Sequence, residues 1–124
     1  MLDTANPTLL TAICLGLLVL YLAVRLISGR KLNTTVLAAR IKAGALVLDV
    51  RTPAEYSDKH FRDALNIPVD ELASRLAELG KDLDRCIIVY CASGARAGKA
   101  SRLLRQAGFS EVINAGGLFN LPRE

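Results

Sequence analysis

The chain is predicted to be an α/β protein: one domain with a mainly parallel central sheet flanked by helices, preceded by one transmembrane helix. Three observations predict this. The N-terminal segment carries a long uncharged apolar run. Two later runs, Leu46 to Val50 and Cys86 to Tyr90, are apolar without polar alternation, as in parallel strands covered on both faces. Segments with helical spacing separate the strand-like runs, which is the order that builds βαβ units.

A chain of 124 residues has room for one modest domain, and its 52% apolar content is high for a soluble domain of that size. Part of that content is therefore assigned outside a core. The net charge of +4 divides evenly: residues 1–31 carry Asp3 against Arg25, Arg30 and Lys31, and residues 32–124 carry thirteen Lys/Arg against eleven Asp/Glu. A domain so nearly neutral argues against a nucleic-acid surface despite the basic whole-chain balance. The three cysteines, Cys14, Cys86 and Cys91, have no metal-ligand spacing and the single His60 adds no partner, so neither metal nor cofactor is expected. An odd cysteine count without a disulfide framework fits a reducing compartment.

From Thr8 to Val24 there are seventeen uncharged residues, and a snorkelling Arg25 would extend the apolar segment to Ile27. About twenty helical residues span roughly 30 Å, the thickness of a bilayer core. Tyr21 and the cluster Arg25, Arg30, Lys31 would then lie at one interface. A cleaved signal peptide wants cations before the apolar run and small residues after it, whereas here Asp3 precedes the run and the cations follow. A domain of roughly ninety residues would not hide a helix that is apolar all round. Residues 1–31 are thus read as an anchor with a basic juxtamembrane segment, single-pass in the cell inner membrane, and residues 32–124 as the domain. The positive-inside rule places that domain on the cytoplasmic side, with the periplasmic side as the alternative.

Within the domain, Asn33 or Thr34 is predicted to cap a helix from Thr35 to about Ala43, with Gly44 as its stop. The strand Leu46 to Val50 follows. Thr52-Pro53-Ala54-Glu55 reads as a short helix start with Thr52 as N-cap, Pro53 at the first helical position and Glu55 closing a capping box. Ala64 to Pro68 is a brief extended piece that Pro68 terminates. Leu72, Leu76 and Leu79 share one stripe of an expected amphipathic helix, Val69 to Leu79, ended by Gly80. The strand Cys86 to Tyr90, a helix from the Gly94 loop to Ala107, and a last strand from Glu111 to Asn114 complete the domain.

Cys91-Ala92-Ser93-Gly94-Ala95-Arg96 joins a buried strand to a helix start. A cysteine there meets loop N–H groups and the positive end of a helix, a field that favours thiolate over thiol. Cys91 is the candidate nucleophile.

Several stretches together resemble the rhodanese family of sulfurtransferases. Asp49-Val50-Arg51 resembles the family's Asp-Val-Arg, and Pro53-Ala54-Glu55-Tyr56 its Pro-x-Glu-[Tyr/Phe]. His60 through Pro68 resembles His-Ile-x-Gly-Ala-x-Asn-Ile-Pro, with Lys59 and Asp63 standing where glycine is usual. Cys91-x-x-Gly94-x-Arg96 matches Cys-x-x-Gly-x-Arg, with Ala97 where a hydroxyl residue is common. Asn114-Ala115-Gly116-Gly117 resembles the closing Gly-Gly segment. The similarity runs from about Thr34 to Leu121 in the family's order.

The resemblance implies transfer of sulfane sulfur from thiosulfate or a persulfide donor to cyanide or a thiol through a Cys91 persulfide, with a protein acceptor as a possible partner. Backbone N–H groups of Ala92, Ser93, Gly94, Ala95 and Arg96 are expected to ring the sulfur, aided by their small side chains. The Arg96 fork suits an anionic donor better than lysine would. Lys99 and Arg102 read as a solvated helix face. Asp49 and Arg51 are expected to form a supporting ion-pair network, and His60 to be a hydrogen-bonding structural residue. Cys86 is expected in the core and Cys14 in the anchor. Two other functions fit the same loop: a membrane-anchored persulfide carrier or binding module with little turnover, and a rhodanese-like phosphatase or arsenate reductase. The last is disfavoured because those use five residues between Cys and Arg, whereas Cys91 and Arg96 have four.

Overall fold

A computed structural model of the chain describes residues 6–123 and, for residues 27–33, the backbone alone. Asp3 and the side chains of Arg30, Lys31 and Asn33, all used above, lie outside the described residues. The chain divides into two compact units between Leu32 and Asn33.

Helix α1 is Pro7–Lys42. In the first unit, Pro7–Leu26 is a 20-residue stretch of mean hydropathy 2.4 with none of it buried, long and apolar enough to cross a membrane. Leu9, Leu15, Leu17, Leu20 and Leu26 are each at least 60% exposed, an apolar surface of the kind that marks a membrane or protein contact. The Arg25 guanidinium lies 5.8 Å from the Tyr21 ring centre, joining the two expected interface residues. The separate helix start expected near Asn33 or Thr34 is not observed, because the helical backbone continues through both. Neither proline nor glycine follows Gly29 before that point, so nothing local breaks the helix. Its end matches expectation: Gly44 takes φ +99°, and the N–H groups of Gly44 and Ala45 donate back to Ile41 and Arg40.

The second unit is built on a parallel four-stranded sheet in the order β2-β1-β3-β4, with β1 Leu46–Asp49, β2 Leu65–Asn66, β3 Ile87–Cys91 and β4 Val112–Gly117. Strand periodicity splits the core in two. Leu48, Val50, Ile87, Val89 and Cys91 face one side, where Ala97, Ala100 and Leu104 of α3 (Ala95–Gln106) cover them. Val47, Ile88 and Tyr90 face the other side and pack with Leu37 near the end of α1, Ala64 and Leu121. Successive residues Tyr90 and Cys91 therefore serve opposite faces.

Helix α2 (Pro53–Asp58) starts as predicted: Glu55 N–H donates to Thr52 Oγ1 at 3.3 Å, and Thr52 N–H donates to Glu55 Oε1 at 3.2 Å. Asp63 sits at φ +59°, the left-handed conformation that explains a glycine preference there, while Lys59 is extended at φ −161°. The helix expected over Val69 to Leu79 is instead two 3₁₀ turns, Leu72–Ser74 and Leu76–Leu79, interrupted at Arg75 (φ −119°, ψ 16°). Leucines at these spacings reach the sheet from either kind of turn, and Leu72 and Leu79 are fully buried. Docking outweighs helix propensity in so short a segment.

Candidate active site

Cys91 ends β3, with its residue surface 1% exposed. The chain then reverses through Gly94, which takes φ +108° and immediately precedes α3. This turn brings backbone donors back onto the sulfur, with Gly94 N 2.9 Å from Cys91 Sγ. Burial opposes ionisation of the thiol, yet N–H groups of Ala97, Gly94, Ser93 and Arg96 together overcome it and hold the Cys91 pKa below its ordinary value. The positive end of a twelve-residue helix adds to the same field. Ser93, Gly94 and Arg96 are the contributors among the five loop residues named from the sequence. Ala92 is an exposed loop residue and Ala95 the exposed first residue of α3, and the buried Ala97 supplies a donor from the first turn of the same helix.

The loop is backed by β4. Between Val89 and Tyr90 the β3–β4 register shifts, so that Gly116 and Gly117 oppose Tyr90 and Cys91. A Cβ on Gly117 would stand 2.4 Å from Ala92 O, and one on Gly94 would stand 3.3 Å from Gly116 Cα. Close approach of the cysteine loop and β4 requires these glycines. Asn114 stitches the contact: its Oδ1 accepts from Gly116 N at 2.8 Å and its Nδ2 lies 3.4 Å from Gly94 O.

Arg96 was expected to present its fork to an incoming anion. Instead its two terminal nitrogens donate to Glu55 Oε1 at 2.6 Å and Oε2 at 3.0 Å. Arg96 hydrogen bonding, chiefly, lowers the Glu55 pKa to about 2. Both side chains are about one-third exposed, at 35% and 34%. The capping box alone accounts for Glu55 in the sequence, which is why its second partner was not foreseen.

Asp49 and Arg51 form the expected ion-pair network, on the sheet face away from Cys91. Arg51 donates from its backbone N (2.9 Å) and Nε (3.1 Å) to Asp49 Oδ1, and from a terminal nitrogen to Asp49 Oδ2 (2.8 Å) and Lys59 O (2.5 Å). Tyr90 Oη donates to Asp49 Oδ2 at 2.7 Å and accepts from Phe61 N at 3.1 Å. Burial first, with the Asp49 contact, pushes the Tyr90 pKa up. His60 Nδ1 is 2.7 Å from Tyr56 O and its ring stacks on Tyr56 at 3.7 Å, fitting a structural role. Lys99 and Arg102, expected on a solvated helix face, are both exposed, and Lys99 stands 3.9 Å from the exposed Asp70. Cys86 is half-buried instead of fully buried, with its pKa raised by burial first, and Cys14 is exposed on α1. Among the described residues no group of His, Cys, Asp or Glu is arranged to hold a metal.

A thiolate loop at the C-terminal edge of a parallel sheet, ringed by backbone N–H groups, defines a class of anion-stabilising cysteine sites on an α/β scaffold. Residues 33–121 match the Rhodanese-like domain, and the chain belongs to the rhodanese family. It is 39% identical over 71 residues to the thiosulfate sulfurtransferase PspE of Escherichia coli K12, covering 57% of this chain and 68% of that protein. It is 40% identical over 72 residues to a sulfurtransferase of Allochromatium vinosum, covering 58% of this chain and 65% of that one. A solved rhodanese with anions from E. coli superposes with a TM-score of 0.59 at 36% identity, covering 62% of this chain and 91% of that chain. These relatives support a sulfur-transfer function.

Proposed function

We propose that the protein is a membrane-anchored sulfurtransferase that carries sulfane sulfur as a persulfide on Cys91. The observation that carries this reading is the set of backbone N–H groups directed at a buried sulfur whose ionisation they favour. The Cys91 thiolate attacks the outer sulfur of the donor, the donor's S–S bond breaks, and its electron pair leaves with sulfite (from thiosulfate) or a thiolate (from a persulfide). The same N–H groups then hold the anionic Cys91 persulfide until cyanide or a thiol takes the outer sulfur and regenerates the thiolate. Ala92 and Ala95 keep the loop small; Ser93, Gly94, Arg96 and Ala97 supply donors; Asp49 and Arg51 brace the neighbouring strand end. Residues 1–31 serve as the anchor and 32–124 as the rhodanese-like domain, facing the cytoplasm.

The full chain in detergent, incubated with thiosulfate or a small organic persulfide, should gain one sulfur atom by intact mass and release thiocyanate on addition of cyanide, and Cys91→Ser should do neither. No adduct on the wild-type chain from either donor refutes the proposal. An adduct without repeated thiocyanate release identifies a persulfide carrier instead of an independent enzyme. A reporter active only in the periplasm, fused after Glu124, should stay silent; activity there reverses the orientation.

A further inference from the structure

Three cations on the site loop, its helix or the neighbouring strand end each face a carboxylate: Arg51 faces Asp49, Arg96 faces Glu55 and Lys99 faces Asp70. The first pair is buried on the opposite sheet face and the third is long and solvated. Of the three, only Arg96 also contributes its backbone N–H to the Cys91 sulfur and feels the charge of that sulfur on its guanidinium, which puts it on the loop a donor must approach. Its fork is closed, because both Glu55 oxygens accept from it in parallel. Glu55 is itself held in place, since Oε1 also accepts from Thr52 N at 3.2 Å and Thr52 Oγ1 at 3.1 Å. The pair lies at the surface, where a donor can reach it but where the guanidinium carries no unmatched charge.

A dianionic donor meets this arrangement poorly. The sulfonate of thiosulfate would compete with a tethered carboxylate for the same fork and would add two negative charges beside Glu55 and the Cys91 thiolate. An organic persulfide carries at most one negative charge on its sulfurs and needs no guanidinium, because the backbone N–H ring already receives its terminal sulfur. We propose that Glu55 is a specificity-determining residue: by occupying Arg96 it sets the site against sulfonate-bearing donors and toward persulfide sulfur. This deepens the proposed function and rests on its Cys91 chemistry. In the favoured step the Cys91 thiolate attacks the terminal sulfur of R–S–SH, a Cys91 S–S bond forms, the donor S–S bond breaks, and R–S⁻ leaves with the bonding pair.

The test uses the full chain in detergent, with rates of Cys91 persulfide formation measured against concentration for thiosulfate and for 2-hydroxyethyl persulfide. Wild type should label faster from the persulfide, by about tenfold or more in kcat/KM, and a preference for thiosulfate overturns the inference without any variant. Glu55→Gln keeps a side-chain carbonyl for the Thr52 cap but removes the negative charge and one of the two acceptors that hold the Arg96 fork. It should raise kcat/KM for thiosulfate about tenfold, chiefly through KM, leave the persulfide rate within about twofold, and make the thiosulfate rate more sensitive to salt. Glu55→Asp, which keeps the charge, should retain the wild-type preference. An equal fall for both donors in Glu55→Gln marks Glu55 as merely structural and overturns the inference, while leaving the Cys91 proposal intact. Absence of label from both donors on wild type removes both readings.

Discussion

Two arginine–carboxylate pairs flank the sheet end, and they differ in almost everything except chemistry. Asp49–Arg51 is buried, with side chains 0% and 9% exposed, and every direction around its carboxylate is filled by Arg51 or Tyr90 donors. Glu55–Arg96 is about one-third exposed on each side and joins α2 to the first turn of α3. Charges removed from water are tolerable only when fully satisfied, so the first pair is fixed and structural. The second keeps contact with solvent and with the Cys91 loop, where screening makes it weak for stability. Location, not residue type, separates the two pairs.

Removing Asp49 should break this contrast most severely. Asp49→Ala strands the buried Arg51 guanidinium and the Tyr90 hydroxyl, and should cost about 3–5 kcal/mol of unfolding free energy by denaturant titration. Tyr90→Phe removes one donor to Asp49 and the acceptor of Phe61 N–H, for a loss of about 1–3 kcal/mol in the same measurement. Arg96→Ala should lower stability by under about 1 kcal/mol while slowing persulfide formation from thiosulfate about tenfold, since it leaves Glu55 unpaired beside the loop. Equal loss of thermal stability and activity would erase the distinction between the two pairs.

Proton linkage sharpens the comparison with smaller effects at opposite ends of the pH scale. The Glu55 pKa is depressed from 4.5 to about 2, so its contribution is complete above pH 4.5 and is lost as pH falls toward 2. The Tyr90 pKa is raised above its ordinary 10.0, so its contribution is complete below pH 10 and is lost as pH climbs past that value. Melting temperatures measured across pH should show the acid loss abolished in Glu55→Gln and the alkaline loss abolished in Tyr90→Phe.

Much of this was legible along the chain because it is local. Apolar runs of strand length, the Thr52 to Glu55 capping box and the Gly44 stop depend on neighbours a few residues away, and each stands where its pattern puts it. Boundaries drifted by a residue or more: β1 ends at Asp49, β3 runs to Cys91, and β4 extends to Gly117 because the shifted register carries pairing past Asn114. The Val69 to Leu79 segment misled because leucines spaced by four and three residues suit α and 3₁₀ turns alike.

By itself the sequence determined a parallel α/β domain, an apolar N-terminal helix, and a cysteine poised between strand and helix, because hydrophobic period, caps and turn glycines act over single turns. Tertiary structure alone decided which charges meet. Arg96 reaches Glu55 and Tyr90 reaches Asp49 across 41 residues each, the first at the partly exposed end of the cysteine loop and the second in the buried interior. No local pattern encodes such pairings, since the pleat of one strand sends Tyr90 and Cys91 to opposite sides and the packing of each side supplies the partner.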